Sequence, residues 1–326
     1  QQEGKRVKKS KKNAAAVKAV GKKRTVWQNI IRYRVLILMC LPAILFFLAF
    51  NYIPLPGIYV AFVNYNYRGG IFGSPFVGLD NFKFLQTSGK LFELTRNTVL
   101  YNLAFIILGN LVAVFLAILL NEMRSKWFKK VSQTMMFLPY FISQVLVGLL
   151  VYNMLNYDYG FVNSVLSSLG MEKWGPYSNP KVWPFLIVLV NLWQNTGYNS
   201  VVYFAAIMGI DAEIIEAARV DGANAFQKIR YIIIPGLRPT IVILLLFALG
   251  GIVRGNFGLF YNIIGQNSIL YPTTDIIETY VYRATITDFN FSTASAVGFY
   301  QSIIGFALVM LCNFVVKKIE PDYSLF

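Results

Sequence analysis

Long apolar segments constrain the fold of this chain more than any other feature of its sequence. An α-helix needs about 20 mainly apolar residues to cross the hydrocarbon core of a bilayer. Six segments approach or exceed that length, and polar loops separate them. The sequence therefore predicts an all-α membrane protein whose six transmembrane helices cover residues 35–53, 98–120, 134–155, 182–210, 240–264 and 294–316. The fifth is expected to be broken by Gly250-Gly251 and Gly255.

Basic residues indicate how these spans are oriented. Twelve of the 30 Lys and Arg residues lie in a basic tail, residues 1–34, before the first span. The loop of residues 121–133 is also basic, whereas the loops on the opposite side carry few cations. Because Lys and Arg concentrate on the cytoplasmic side, both the basic tail and the C-terminal tail, residues 319–326, are expected in the cytoplasm. The basic tail is expected to attract membrane lipid rather than nucleic acid.

The absence of several residue types argues against an enzyme. The chain has no histidine, which is the commonest general base. Its two cysteines, Cys40 and Cys312, lie inside apolar segments and lack the spacing of metal ligands. A membrane-embedded enzyme would also need a hydrolase motif or paired aspartates within the spans, and the sequence has neither. We therefore expect no catalytic residue, no metal and no cofactor.

A polar loop between the fourth and fifth spans, residues 211–235, carries the most distinctive motif. Asp211 is a typical N-cap, and Asp221-Gly222 is a typical helix end because glycine adopts positive φ without strain. A second short helix is predicted over Ala225–Tyr231, ending before Pro235. The residues alone leave two interpretations of this helix–turn–helix open: a simple hairpin between two spans, or a surface that a cytoplasmic partner binds.

The same loop resembles the E-A-A loop of permeases in type I ABC importers. The family pattern is E-A-A, three residues, G, nine residues, I, one residue, L, P, and the chain departs from it only at Ile234, where the family has leucine. Further motifs resemble carbohydrate permeases related to the maltose permeases, in the branch for complex polysaccharides and aldouronates of Gram-positive bacteria. The matching segments are Glu216-Ala217-Ala218 with Gly222, Ile232 and Pro235, then Phe76–Phe82, Arg96–Thr98, Leu138–Tyr140, Leu192–Asn199 and Asp275–Arg283.

This resemblance implies a transport function. The chain would be the permease subunit of an ATP-driven importer in the bacterial cytoplasmic membrane, passing an oligosaccharide or a polysaccharide-derived sugar into the cell. Its expected partners are a second homologous permease subunit, two cytoplasmic ATPase subunits and an extracellular sugar-binding lipoprotein. ATP is expected to bind to the ATPase alone, because this chain has no G-x-x-x-x-G-K-[ST] motif. The residues expected to couple the permease to the ATPase are Glu216, Ala217, Ala218, Asp221, Gly222 and Pro235.

Polar residues inside the spans are the candidates for a substrate pathway. Such residues are costly in lipid and usually face a cavity or another helix. Amides, guanidinium groups and aromatic faces are also suited to binding sugars. The alternative for each residue is hydrogen bonding between helices, and for Arg254 it is an ion pair with Glu278 or Asp288. The candidates are Asn191, Asn195, Tyr198, Asn199, Arg254, Asn256, Tyr152 and Asn153.

Arg254 bears on the identity of the substrate. The polysaccharide branch usually has smaller or polar neutral residues at this place, so the arginine points to an acidic or unusually hydroxylated saccharide. Two other functions stay open: an ABC permease for a different solute, such as glycerol phosphate or an oligopeptide, and a secondary transporter. A secondary transporter would need inverted repeats or titratable residues buried in its spans, and it would leave the Glu216 loop without a role.

Overall fold

The computed structural model describes residues 32–319, and this part of the chain is almost entirely helical. Within it, the β pairing consists of one antiparallel bridge between Val63 and Phe76. Most of the predicted basic tail and C-terminal tail lies outside the described residues. The longer helices are α1 (Arg34–Phe47), α2 (Asp80–Thr87), α3 (Lys90–Glu122), α4 (Lys126–Phe137), α5 (Gln144–Leu155), α6 (Phe161–Ser168), α7 (Trp183–Met208), α8 (Ala212–Val220), α9 (Ala225–Gly250), α10 (Phe257–Ile264), α11 (Ile277–Ile286) and α12 (Phe291–Ile319).

Short helical turns connect these elements. A π-turn and a 3-10 helix follow α1, and 3-10 turns also lie before α5, before α7 and after α10. Their bounds are Leu48–Tyr52, Leu55–Phe62, Leu138–Phe141, Pro176–Ser178, Pro180–Val182 and Ser268–Leu270. Two four-residue α-turns cover Gly70–Gly73 and Tyr271–Thr274. The chain divides after Gly57 into two units; α1 belongs to the first, and α2 to α12 form the second.

Four helical runs among the described residues are long and apolar enough to cross a membrane. They are Arg34–Phe62, Lys90–Glu122, Ala225–Gly250 and Phe291–Lys318, at the predicted first, second, fifth and sixth spans. Helix α7, at the fourth, has 26 residues and a length of about 39 Å. It falls outside this group because amide side chains interrupt its apolar sequence. Length and composition therefore do not confirm the count of six spans.

The third predicted span is not one continuous helix. It consists of α4, a 3-10 turn and α5, and the two helical parts are bent by 97°. Pro139 lies in the first turn of the 3-10 helix, where a missing N–H is tolerated, and the chain bends after it at Ile142 and Ser143, whose backbones are extended. Ser143 starts the next helix by accepting a hydrogen bond from the Leu146 amide at 3.3 Å. The Gln194 amide of α7 donates to the Ile142 carbonyl at 3.0 Å, so a carbonyl freed by the break is satisfied.

The fifth predicted span is interrupted at its glycines, as predicted, but its first helix starts earlier than predicted. Helix α9 begins in the polar loop and ends at Gly250, and residues 251–256 then separate it from α10. The short helix predicted to stop before Pro235 instead continues through it. A π-turn over Ile229–Ile233 comes first, and Pro235 then occupies the first turn of the following α segment, where a missing N–H is tolerated.

Small residues let the helices of the second unit pack closely. Ala113 and Ala117 of α3 are buried against Tyr203 of α7, and Leu237 of α9 completes the same apolar cluster. The Tyr203 hydroxyl donates a hydrogen bond to the Asn110 side chain. This arrangement follows the usual chemistry of membrane helix pairs, in which small residues allow close approach and polar side chains bond across the interface.

Candidate functional site

The loop at Glu216 is built from two capped helices joined by a tight turn. The Asp211 carboxylate accepts a hydrogen bond from the Glu213 amide at 2.9 Å and starts α8. Gly222 ends this helix with φ of 76°, and the Ala223 amide donates to the Ala218 carbonyl at 2.9 Å. The predicted N-cap and the predicted glycine turn are both confirmed.

A capping box then begins the second helix of the loop. The Asn224 side chain accepts from the Gln227 amide at 2.8 Å, while the Gln227 side chain accepts from the Asn224 amide at 2.8 Å. Lys228 follows and forms an ion pair with Glu122, at the end of α3, at 2.7 Å. The loop is thus tied to the second span and continues directly into the fifth through α9.

The surface of the loop combines charge with uncovered apolar side chains. Glu216, Ala217 and Asp221 are exposed, as is Pro235 further along, and Ala218 is half-buried. Val220 is 87% exposed and Phe226 is 71% exposed, and Ile214 and Tyr231 are also open. Apolar side chains exposed on a polar loop are a feature of surfaces that bind other proteins. The role of the individual coupling residues stays a prediction.

Helix α7 holds four of the predicted pathway residues, but in different surroundings. Asn191 is buried, and its carbonyl accepts a hydrogen bond from the Asn195 side chain at 3.0 Å, so the Asn195 amide is engaged on its own helix. Asn199 is half-buried. Tyr198 is exposed and stacks on Tyr140 with ring centres 4.5 Å apart and planes 14° apart.

Tyr198 thereby belongs to an aromatic group at the break of the third span. Phe137 stacks on it at 5.9 Å, and Phe141 packs edge-on against Phe137 at 5.0 Å. Sequence reasoning missed this group, although the Leu138-Pro139-Tyr140 motif marked the place. Stacked, exposed aromatic faces are surfaces on which the apolar face of a sugar ring can lie.

Tyr152 and Asn153 lie at a different place, near the end of α5. Tyr152 packs edge-on against Tyr177 with ring centres 5.6 Å apart, and the Asn153 side chain donates to the Leu149 carbonyl of its own helix at 2.8 Å. Tyr152 lines a groove with residues of α10. That groove shares no lining residue with the groove at Arg254, so the structure does not bring these two parts of the predicted pathway together.

Arg254 lies in the break between α9 and α10 and lines a groove against α12. The other lining residues include Gly250, Gly251, Gln301 and Phe306. Arg254 is exposed, and its guanidinium has no hydrogen-bond or ion-pair partner within residues 32–319. The ion pair with Glu278 or Asp288, the alternative to a pathway role, is not formed. Asn256 caps α10 by accepting from the Leu259 amide at 3.1 Å, a structural task that the sequence did not reveal.

Side chains from three other helices hold the backbone of this break. The Asn102 amide donates to the carbonyls of Ile252 at 2.8 Å and Arg254 at 3.0 Å. The Gln301 amide donates to the Val253 carbonyl at 2.7 Å. Glu278 accepts from the Gly255 amide at 2.6 Å. Within a membrane, non-helical backbone is stable only where protein or water forms hydrogen bonds with its N–H and C=O groups. These three side chains therefore hold the backbone of Arg254 in place.

A buried charge cluster lies next to this break, and sequence reasoning missed it too. The Asp275 side chain has no exposed surface and pairs with Arg283 at 2.6 Å and with Lys90 at 3.1 Å. Burial by itself would lower the pKa of Arg283, but hydrogen bonds and Coulomb attraction from Asp275 outweigh it and hold that pKa above its ordinary value. The only signal was an acidic and a basic residue at the two ends of the Asp275–Arg283 motif.

Comparisons with known proteins agree with this architecture. The family of binding-protein-dependent transport system inner membrane components matches residues 109–322. YteP of Bacillus subtilis, a polygalacturonan/rhamnogalacturonan transport system permease protein, is 34% identical over 92% of this chain and 93% of its own. Protein LplB of the same species is 32% identical over 96% and 98%. In a bacterial ABC transporter that imports the acidic polysaccharide alginate, one chain matches with a TM-score of 0.82 and 32% identity, over 91% of this chain and all of that one.

The fold and the loop define a transmembrane permease of the type I ABC importer class. The chain belongs to the family of inner membrane components of binding-protein-dependent transport systems. The family resemblance read from the sequence is therefore confirmed, and so is the prediction of an all-α membrane permease.

Proposed function

We propose that this permease is one of two homologous subunits of an importer for oligosaccharides that carry uronate carboxylates. An extracytoplasmic lipoprotein delivers the saccharide, and two separate ATPase subunits, docked on the cytoplasmic loop at Glu216, supply the energy. Both termini lie in the cytoplasm. The known relatives support the substrate class: YteP is a permease for polygalacturonan and rhamnogalacturonan, and the structural neighbour imports alginate.

The observation that carries the proposed substrate is the guanidinium of Arg254. It faces a groove and has no acceptor among the described residues. A guanidinium offers two parallel N–H donors to a carboxylate, a geometry that neutral hydroxyls match less well. An arginine held open in this way suits a solute with a carboxylate on each sugar ring, because successive rings can exchange places on it.

The docking of an ATPase is supported by the shape of the loop. The loop carries exposed apolar side chains around Glu216, and an ion pair and a continuous helix tie it to two spans. A partner that moves α8 would therefore move α9, because only the short turn of residues 221–224 separates the end of α8 from the start of α9.

The test of this function is uptake into vesicles that contain the complete importer. The probes are an oligogalacturonate and the same oligomer with its carboxylates methyl-esterified. The wild type should import the charged probe faster. Arg254→Gln should slow uptake of the charged probe by roughly tenfold, since a hydrogen bond to a charged group contributes about 1.5–3 kcal/mol.

The neutral probe should respond little to Arg254→Gln, and the assembled complex should keep its melting temperature. Arg68→Gln is the matched control, because it removes an exposed guanidinium that does not line the groove. Equal slowing of both probes would count against a uronate substrate. A loss of assembly would assign Arg254 a structural role.

A further inference from the structure

Glu278 holds the break with only one of its two carboxylate oxygens. Its Oε1 accepts hydrogen bonds from the Gly255 amide at 2.6 Å and from the Gln301 side chain at 2.7 Å. Its Oε2 is buried and has no hydrogen-bond partner among the described residues. A buried charged oxygen without a donor is costly, so this half of the carboxylate calls for a partner that the described contacts do not supply.

Oε2 of Glu278 lies next to the backbone of Gly255, the residue that follows Arg254. This oxygen lies against the α-carbon of Gly255, so closely that a Cβ at that position would overlap it. Arg254 is the preceding residue, and consecutive α-carbons are about 3.8 Å apart. The residue that carries a guanidinium without an acceptor is therefore next in sequence to the residue against which a carboxylate oxygen without a donor lies.

We propose that Glu278 is the resting counter-ion of Arg254 and that the carboxylate of a passing saccharide takes its place. The inference rests on the proposed uronate substrate and adds a specificity-determining residue to it. In this structure the Arg254 side chain lines the groove; in the resting importer a rotation of that side chain brings its guanidinium to Oε2. In the loaded importer Arg254 turns to the saccharide, and Glu278 keeps the break in place through Oε1.

This exchange solves a physical problem of moving an anion past a fixed cation. An unpaired guanidinium in a span is expensive when no substrate is present. A guanidinium that binds carboxylates without competition would hold the saccharide and slow its release, whereas conduction needs sites that are attractive but easily left. The Glu278 carboxylate would neutralise the guanidinium when no substrate is bound, and it would compete with the saccharide so that release is easy. A neutral sugar cannot compete for the guanidinium, so the pair also favours charged substrates.

Glu278→Gln tests the exchange, because glutamine keeps an oxygen that can accept both hydrogen bonds while removing the charge. Initial uptake is measured against concentration for the oligogalacturonate and its methyl ester, in the complete importer. Without the competitor, the half-saturating concentration of the charged probe should fall by roughly three- to tenfold, as expected when a binding-competent state becomes fully populated. Its maximal rate should fall as well, since release is slower. The methyl ester should show neither change.

The double variant Arg254→Gln/Glu278→Gln separates a counter-ion from a structural residue. If Glu278 acts through Arg254, adding Glu278→Gln to Arg254→Gln changes neither probe further. Equal losses for both probes in both backgrounds, or failure of Glu278→Gln to assemble, would overturn the inference. If Arg254→Gln distinguishes the probes but Glu278→Gln does not, the counter-ion fails while the proposed substrate stands. If Arg254→Gln does not distinguish them, the proposed substrate itself fails.

Discussion

Replacing Asp275 by asparagine should measurably destabilise the assembled permease. The substitution keeps the shape of the side chain but removes the one negative charge that faces both Arg283 at 2.6 Å and Lys90 at 3.1 Å. Removing one partner of a buried ion pair costs about 3–5 kcal/mol, because the other partner stays behind without a counter-charge. Arg283 and Lys90 are 21% and 25% exposed, so water still reaches them, and Lys90 keeps its pair with Glu93 at 2.8 Å. The loss therefore falls mainly on Arg283, and we expect about 3 kcal/mol, the low end of that range.

The assay is thermal unfolding of the assembled permease in lipid nanodiscs. At roughly 2 °C per kcal/mol, the value for large domains, the melting temperature should fall by about 6 °C. Asp80→Asn is the matched control, since it breaks the Lys83–Asp80 pair at 2.9 Å, whose side chains are 72% and 65% exposed. A surface pair contributes about 0–1 kcal/mol, so this shift should stay below about 2 °C. Equal shifts for the two variants would refute the reasoning from burial.

Two glycines give further predictions. Gly222→Val should abolish the stimulation of ATPase activity by loaded binding protein while membrane insertion survives, because φ of 76° strains a β-branched residue. Gly222→Asn, which tolerates this conformation, should keep most of the stimulation, and normal coupling in the valine variant would remove the role of this turn. Gly197→Ala should lower the yield of assembled complex, since its Cβ would overlap the Met136 carbonyl, whereas Gly109→Ala meets only ordinary contact and should be neutral. Equal yields of the two alanine variants would show that α4 can shift away.

Hydropathy predicted the positions of most helices, and glycines predicted the break in the fifth span, but the sharp bend in the third span was not predicted. Apolar segments indicate which parts of a chain can lie in the hydrocarbon core of a bilayer, and they predicted the positions of α3, α9 and α12. They cannot report a break whose freed carbonyls are satisfied by distant side chains. Both breaks are of this kind; Gly250, Gly251 and Gly255 were the local signal of the break in the fifth span, and Pro139 lay near the break in the third.

In the candidate site, too, local features were predicted from the sequence and contacts between distant residues were not. Asp211 and Gly222 were predicted correctly, because caps and turns depend on neighbouring residues. The Asp275 cluster joins Arg283 of α11 to Lys90 at the start of α3. Asp275 and Lys90 are far apart in the sequence, so no local sequence pattern could predict their contact. The sequence also did not distinguish the role of Asn256 as the N-cap of α10 from a role in binding substrate.

The two breaks share one chemical solution, and it changes how polar residues in these spans should be interpreted. At the third span an amide of α7, Gln194, donates to the freed Ile142 carbonyl; at the fifth, Asn102 and Gln301 do the same for residues 252–254. An amide in an apolar span can therefore serve the backbone of a neighbouring helix and never touch the solute. What marks a pathway residue here is a polar group that the protein itself leaves unused. Among the described residues that criterion selects Arg254 and the second oxygen of Glu278, and it also selects the side-chain oxygen of Gln194. Only Arg254 and Glu278 are charged, so they are the pair on which selectivity for charged saccharides should depend.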